Sequence, residues 1–228
     1  MSKYFPLICL GLMAFTFSCN NIEPSKEDPF LLAEYFVRYL KPQKQVKAYV
    51  SFFEGDSLET AHPKTFFGGV TFQGRSMTPK DLASKAVRYT LTGTGEYEKS
   101  FQFRYRDDSN EEQIHVVGMT PIEEFLVQGE ISKSDGMTLI VQGGLLEKDE
   151  SLVLLFNDEQ NRASTVTVQG PSNSIEHFIP RTNLANLSLG KGKLYLVKKK
   201  EEVVEEKRQR ILSAIEFYSE TIEIEVKE

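Results

Sequence analysis

Tryptophan is absent from this 228-residue chain, and cysteine and histidine are scarce, with two and three residues respectively. The histidines, His62, His115 and His177, lie far apart in the sequence, and none has a second ligand at the spacing of a zinc site. A Gly-x-Ser-x-Gly nucleophile motif is also missing, and no glycine-rich loop is followed by a helical pattern that could bind phosphate. We therefore predict no catalytic residue, no metal site and no cofactor.

Long hydrophobic runs are missing as well. The longest apolar run extends from Phe5 to Phe17, and only Lys3 is charged before Cys19. A helix of that length rises about 20 Å, whereas the hydrocarbon core of a bilayer is about 30 Å thick. A short apolar run after a positive charge near the N-terminus is typical of a secretory signal peptide rather than of a membrane span.

The apolar run ends in Phe15-Thr16-Phe17-Ser18-Cys19, where a small residue directly precedes a cysteine. This segment resembles the relaxed lipobox of Bacteroidota lipoproteins, with Phe or Thr where stricter boxes have Leu and Ala or Ser. The resemblance implies a signal peptide over residues 1–18, cleavage before Cys19, and acyl chains such as palmitate on Cys19. The alternative is an ordinary signal peptide in which the cysteine is incidental.

The distribution of cysteine favours the lipoprotein interpretation. Cys9 lies in the segment that cleavage would remove, so Cys19 would be the only thiol of the mature chain and could form no internal disulfide. Several acyl chains anchor a protein stably, whereas a single chain gives marginal binding. Residues 19–29 are polar and end at a proline, which is typical of a tether. Asn20 is not the aspartate that marks inner-membrane retention in enteric bacteria, so we expect the outer membrane, at its periplasmic face or at the cell surface.

The charge balance argues against nucleic acid as a partner. The chain has 27 Lys and Arg against 33 Asp and Glu, a formal net charge of −6. A nucleic-acid-binding domain needs a basic surface, and an acidic chain also repels anionic lipid. Membrane attachment therefore has to come from the lipid on Cys19 and not from a basic patch.

Short strand-like segments separated by turn residues predict an all-β fold. One clear case has alternating apolar residues on one face, namely Val46, Ala48, Val50 and Phe52. We expect two tandem antiparallel β-sandwiches of the immunoglobulin-like type, at residues 30–120 and 123–228, with one larger β structure as the alternative. The segment from Ile179 to Val197 loosely resembles the late part of immunoglobulin-like sandwiches in bacterial surface proteins.

Two local patterns predict turns and bulges. Aromatic and polar residues alternate over 101–106, and the polar turn 107–112 leads to a second strand that stops at Gly118, which predicts a hairpin. The oxygen atoms of this turn would suit Ca²⁺, but the spacing and the glycine of an EF-hand are missing, so we interpret it as a plain hairpin turn. Gly68-Gly69, within the apolar segment 66–72, predicts a bulge or a close backbone approach.

Residues 29–40 and 199–210 are compatible with both helix and strand. In the first segment the apolar residues have helical spacing, yet Tyr35, Val37 and Tyr39 also alternate, and we predict a strand that pairs with residues 44–53. In the second segment Glu, Lys and Arg favour a helix. Alternation on both sides of it favours a long hairpin that turns near residues 206–207.

The return strand of that hairpin changes the parity of its apolar positions. These positions are first odd and then even: Ile211, Ile215 and Phe217, followed by Ile222, Ile224 and Val226. Because a strand has a period of two residues, its parity changes only where one extra residue is inserted. We therefore predict a β-bulge near Ser219-Glu220.

Asp56-Ser57-Leu58 resembles the Asp-Ser/Thr-apolar pattern of O-glycosylation sites on exported Bacteroidota proteins, which makes Ser57 a candidate for O-glycosylation.

Our leading functional hypothesis is a membrane-anchored envelope or cell-surface lipoprotein that is not an enzyme and binds a partner protein or a glycan. The absence of tryptophan counts mildly against a glycan. The alternatives are an envelope hydrolase with two carboxylates about 5–10 Å apart in a cleft, and a structural spacer without a ligand.

The substitution Cys19→Ala should abolish incorporation of labelled palmitate and leave the chain uncleaved, because the acyl acceptor and the cleavage residue are lost together. Metabolic labelling and mass measurement of the intact protein test this. Cys9→Ala is the matched control and should change neither labelling nor cleavage. An unmodified Cys19 thiol in the cell-derived protein would contradict the lipoprotein interpretation.

Overall fold

The computed structural model describes residues 30–57, 59–82, 86–206 and 208–228. These residues form sixteen strands, one helix and one 3-10 turn, so the predicted all-β class is confirmed. The helix is α1 (Arg181–Leu184), and the 3-10 turn is Lys41–Gln43. The strands in chain order are β1 (Phe30–Leu40), β2 (Gln45–Gly55), β3 (His62–Lys64), β4 (Val70–Phe72), β5 (Arg75–Ser76), β6 (Thr78–Leu82), β7 (Ala86–Thr94), β8 (Ser100–Arg106), β9 (Glu112–Gly118), β10 (Glu124–Ser132), β11 (Gly136–Gln142), β12 (Glu150–Asp158), β13 (Ala163–Gln169), β14 (Glu176–Ile179), β15 (Gly190–Glu206) and β16 (Gln209–Lys227).

The strands are arranged in two sheets. The larger sheet has twelve strands, with the main order β13-β12-β15-β16-β1-β2-β7-β6. Beside this path β3 pairs with β2, β10 pairs with β11 and β16, and β14 pairs with β11. The smaller sheet has four strands in the order β5-β4-β8-β9.

One long hairpin runs along the centre of the larger sheet. Its strands, β15 and β16, contain 17 and 19 residues, and the turn between them lies where the sequence predicts it. The first half of β16 pairs in parallel with β1, from Leu31 opposite Gln209 to Leu40 opposite Tyr218. The last residues of β16 pair in parallel with β10. These two pairings differ from the antiparallel expectation, and they are possible because a long stretch of chain separates the paired strands.

The smaller sheet packs on the inner face of the larger sheet through aromatic rings. Tyr35 of β1 lies 5.1 Å from Phe103 between ring centroids, and Phe52 of β2 lies 4.8 Å from Tyr105. In the other half of the molecule the core is aliphatic, with Leu139, Leu152 and Leu194 fully buried. The inner face is thus a continuous core that changes from aromatic to aliphatic along the long hairpin.

Residues 30–40 form the predicted strand, and its composition explains why the sequence is also compatible with a helix. The odd-numbered residues from Ala33 to Tyr39 are buried in the core. The even-numbered residues point to the opposite face, yet Leu32, Phe36 and Leu40 among them are also apolar. A strand that is apolar on both faces has adjacent apolar pairs, and such pairs also fit helical spacing.

The predicted bulge in β16 is confirmed. The register between β15 and β16 shifts where Leu196 lies opposite two residues, Ser219 and Glu220. Inward-pointing residues are odd-numbered before this point, as Phe217 is, and even-numbered after it, as Val226 is. The buried Ser219 hydroxyl accepts a hydrogen bond from the Leu196 N–H at 2.9 Å and donates one to the Glu220 carbonyl at 2.7 Å. The side chain therefore supplies the acceptor that the interrupted ladder no longer provides.

The two turn predictions have different outcomes. β8 and β9 form the predicted hairpin around residues 107–111. The predicted bulge or close backbone approach at Gly68-Gly69 is wrong on both counts. Residues 66–69 form a turn in which the Gly69 N–H donates to the Phe66 carbonyl at 2.9 Å, and a Cβ atom on either glycine would meet no atom within 4 Å. Gly69 has φ +68°, a conformation that glycine adopts without strain, and the strand begins only at Val70. Within the described ranges, no helix is long and apolar enough to cross a membrane.

Replacing Ser219 by alanine should lower the free energy of unfolding by about 1–3 kcal/mol, because the buried Leu196 N–H loses its acceptor. Urea unfolding followed by circular dichroism measures the change. Ser100→Ala, at an exposed position in β8, is the control and should have an effect of less than about 0.5 kcal/mol. A Ser219→Ala effect as small as the control would show that the hydroxyl does not stabilise the bulge.

Candidate functional site

The residues proposed for membrane attachment lie outside the described part of the chain. This applies to Cys19, to the signal peptide 1–18 and to the tether 19–29. Ser57, the candidate for O-glycosylation, lies in the loop after β2 and is half-buried. Its N–H donates to Thr60 Oγ1 at 3.1 Å, and its hydroxyl lies 3.2 Å from the same atom. Ser57 therefore belongs to a short hydrogen-bonded turn.

The three histidines lie in three separate environments. His62 is exposed in β3, and His177 is buried in β14 with its Nε2 3.0 Å from the Gly144 carbonyl. His115 of β9 stacks on the Tyr35 ring at a centroid distance of 4.0 Å. In the part of the chain that the structure describes, no three His, Cys, Asp or Glu side chains are grouped to hold a metal ion.

Ser213 is a partner of His115 that the sequence does not reveal. His115 Nε2 lies 2.7 Å from Ser213 Oγ, although 98 positions separate the two residues. This distance suits a nucleophile and its general base. A hydrolase also needs a group that orients the base, and within the described residues no carboxylate is hydrogen-bonded to the other ring nitrogen of His115. The pair instead links the two sheets, because β9 and β16 belong to different sheets.

Lys198 and Glu150 form an ion pair inside the core. Their side chains are 1% and 4% exposed, and Lys198 Nζ lies 3.1 Å from Glu150 Oε2. Lys198 also donates to the carbonyls of Gly143 at 3.1 Å and Leu145 at 2.8 Å. A buried ammonium group needs partners for its three protons, and these three acceptors provide them. The pair joins the turn after β11 to the sheet.

An open cleft of about 730 Å³ lies between the two sheets at the end of the molecule where β1 begins. Its lining includes the carboxylates of Glu54, Asp107 and Asp108. Backbone N–H groups of its own turn and the Gln113 side chain donate to Asp107 and lower the pKa of its carboxyl. Lys64 forms ion pairs with Glu54 and Asp108. A general acid needs a raised pKa, so the lowered pKa of Asp107 does not suit this carboxyl for the acid of a carboxylate hydrolase.

The outward face of the larger sheet is more apolar than a solvated sheet face. We call the outward side chains of β15, β16, β1, β2 and β7 the open face. Its partly exposed apolar members include Leu32, Phe36, Leu40, Tyr49, Phe53, Ala86, Tyr195, Val203, Leu212, Ala214 and Tyr218, and Val197 on the same face is buried. Among the described residues, their ring contacts run only to other side chains of the same face. The solvated face of a sheet is normally polar, because apolar residues alternate along each strand with the polar residues that point to water. The apolar composition of the open face therefore makes it a candidate interaction surface.

A continuous stack of rings and guanidinium groups crosses the open face. Phe36 of β1 stacks on Tyr49 of β2 at a centroid distance of 4.6 Å and an interplanar angle of 17°. The Arg38 guanidinium lies 5.3 Å from the ring centroids of both Phe36 and Tyr218, and Arg88 lies 4.3 Å from that of Tyr49. The order Tyr218, Arg38, Phe36, Tyr49, Arg88 spans four adjacent strands. Each cation–π contact contributes about 0.5–1 kcal/mol at an exposed site.

Glu216 fixes the position of Arg38 in the stack. Its Oε2 accepts hydrogen bonds from Arg38 Nε at 2.8 Å and from the Tyr218 hydroxyl at 3.2 Å, and its Oε1 lies 3.1 Å from Lys199 Nζ. Burial alone would raise the pKa of Glu216. The hydrogen bonds and charges of Lys199 and Arg38 outweigh burial, so the pKa of this carboxyl lies below its usual value. The carboxylate is therefore ionised at neutral pH and holds the centre of the face in one arrangement.

Arg88, at the end of the stack, has no carboxylate partner within the described ranges. Its Nε is buried without a hydrogen-bond acceptor, and its guanidinium lies over the Tyr49 ring. A buried donor without an acceptor costs about 1–3 kcal/mol. Lys47 is exposed on the same face. Lys47 and the terminal nitrogens of Arg88 have no carboxylate partner among the described residues, whereas the buried Arg88 Nε cannot be reached from outside the molecule.

No protein-family model and no curated protein matches this chain.

The signal for the open face is present in the sequence, since β1 and the first half of β16 have apolar residues at both odd and even positions. The stack itself has no sequence signal, because it depends on the order of four strands.

Stability should fall as the solution becomes acidic. Burial lowers the pKa of both His115 and His177, so the folded chain binds protons less readily than the unfolded chain. The stabilisation by the neutral histidine rings is complete above about pH 6.5, the histidine pKa in the unfolded chain. It is lost as the pH falls towards the lower histidine pKa values of the folded chain. Urea unfolding at a series of pH values should show this decline.

The variant His115→Gln should show a weaker decline than the wild type. Asn186→Gln, at an exposed position without a titratable side chain, is the control and should leave the pH dependence unchanged. A decline of equal steepness in the wild type and in His115→Gln would assign the effect to other groups.

Proposed function

We propose that this protein is a membrane-anchored envelope lipoprotein that binds a partner protein on the open face and catalyses no reaction. Lipid on Cys19 would attach it to the outer membrane. The observation that carries the binding function is an apolar sheet face with an ordered aromatic–guanidinium stack at its centre.

The stack favours a protein over a glycan as the partner. A sugar that stacks on an aromatic residue needs a free ring face. Phe36 lies between Tyr49 and Arg38, and Tyr49 lies between Phe36 and Arg88, so both faces of each ring are covered. Within the stack, what remains accessible is the ring edges, which suit contact with protein side chains.

The dimensions and composition of the open face suit a protein interface. Five adjacent strands at about 4.8 Å spacing give a surface about 20 Å wide. Along the 11 residues of β1 this surface is about 36 Å long at roughly 3.3 Å per residue. Its area of about 700 Å² is comparable with the roughly 800 Å² that each partner contributes to a standard interface. Aromatic residues and arginine are enriched at interface centres, where hot spots cluster. Since the stack and Glu216 already fix these side chains, little conformational entropy is lost on binding.

The unpaired cations define the chemistry of the partner. Arg88 and Lys47 lie beside the apolar centre, so the complementary surface is apolar with at least one carboxylate next to it. A structural spacer would explain the anchor and the long hairpin. It would not explain an apolar face with an unsatisfied arginine, and we therefore rank it second.

Site-specific photo-crosslinking in the intact cell tests the proposal. A photoreactive amino acid in place of Lys47, on the open face, should give an adduct of one defined mass. The same amino acid in place of Arg104, exposed on the smaller sheet, is the matched control and should give none. Arg88→Glu should lower the yield at position 47 about tenfold, which corresponds to about 1.4 kcal/mol of binding free energy.

Arg104→Glu should leave the yield at position 47 unchanged. Equal adducts from both crosslinking positions, or an adduct that is insensitive to Arg88→Glu, would show that the open face is not the binding surface.

A further inference from the structure

The turn between β3 and β4 carries the most exposed of the large apolar side chains that the structure describes. Phe67 has a relative exposure of 111%, whereas the next, Phe178, has 63%. The turn is closed by the hydrogen bond from the Gly69 N–H to the Phe66 carbonyl. A Cβ atom on either glycine of the turn would meet no atom within 4 Å, so the turn projects into open space.

Phe66 fixes the direction in which Phe67 points. The Phe66 ring is buried against Phe52 and Tyr105, at centroid distances of 4.9 and 4.4 Å. Its N–H donates to the Tyr89 hydroxyl at 3.2 Å. Because residue 66 is held in the core, the exposure of its neighbour is built into the turn and does not come from a loose loop.

The turn lies at the end of the molecule where β1 begins. Phe30, the first residue of β1, pairs with the last residue of β2, and β3 pairs with residues 52–54 of β2. Phe66 and Leu31 line the same cleft between the sheets. Phe67 therefore projects from the end to which residues 19–29 lead.

The proposed lipid anchor cannot be far from this end. Residues 19–29 connect Cys19 to β1, and a chain of that length spans at most about 40 Å. Along β16 the distance from Gln209 to Val226 is about 55 Å at roughly 3.3 Å per residue. The tether thus keeps the Phe67 end, and not the opposite end, close to the bilayer.

We propose that Phe67 inserts into the lipid interface beside the acyl anchor, so that a bilayer is the partner of this turn. This inference rests on the proposed function, because it requires lipid on Cys19. Aromatic side chains partition into the membrane interface, and the tether supplies the high effective concentration that a single side chain needs. Carboxylates at the same end, including Asp108 and Glu206, repel anionic headgroups, so zwitterionic lipid is the matching surface.

The absence of tryptophan allows a direct test. Phe67→Trp introduces a single fluorophore into the full-length lipidated protein, which is reconstituted into vesicles of phosphatidylethanolamine and phosphatidylcholine with or without doxyl-labelled lipid. Phe178→Trp, in β14 towards the opposite end of the larger sheet, is the matched control. We expect a shift of the emission to shorter wavelength and quenching by doxyl lipid for Phe67→Trp, and neither effect for Phe178→Trp.

Vesicle flotation and the mass of the N-terminal peptide report on the anchor independently of fluorescence. If the protein floats and carries lipid on Cys19 but Phe67→Trp is quenched no more than Phe178→Trp, the insertion of Phe67 is disproved while the anchor stands. If the protein neither floats nor carries lipid, the anchor is disproved and the insertion with it.

Discussion

The parallel pairing of β1 with the first half of β16 is the interaction on which the larger sheet depends. β1 fills the space between β16 and β2, and its backbone groups pair with both neighbours. Without β1, those two strands would each have a free edge of unpaired N–H and carbonyl groups. The first half of β16 would then be held only by β15, and isolated two-stranded hairpins are marginally stable in water. The order of the central strands therefore follows from one pairing between residues distant in sequence.

The same pairing builds the stack on the open face. Arg38 and Phe36 of β1 lie between Tyr218 of β16 and Tyr49 of β2, so the four side chains meet only when the strands have this order. Adjacent strands are about 4.8 Å apart, close to the 4.6 Å between the Phe36 and Tyr49 rings. The geometry of the sheet thus sets the spacing of the stack, and the stack in turn covers backbone on a face to which no second layer is packed among the described residues.

The sequence predicts the parts of this fold that depend on local periodicity. The bulge at Ser219-Glu220 followed from parity alone, and the β8–β9 hairpin followed from alternation around a polar turn. The pairing of β1 with β16 could not be predicted, because alternation specifies which face a side chain occupies and not which strand lies beside it. The contact between His115 and Ser213 has the same origin. The glycine pair at 68–69 fits a bulge and a turn equally well, and the hydrogen bond from the Gly69 N–H to the Phe66 carbonyl, with the strand beginning only at Val70, distinguishes them.

The open face and Phe67 place constraints on each other. Side chains of a sheet point perpendicular to its plane, whereas Phe67 projects from a turn at the end of the strands, so the two surfaces cannot face the same membrane. Placing the open face on a bilayer would also require desolvation of the ion network of Arg38, Glu216 and Lys199 at its centre. Charged groups are costly to transfer into lipid, whereas a protein partner can meet this network with its own polar groups. If the Phe67 end contacts lipid as proposed, the open face points sideways, where the proposed partner protein could reach it.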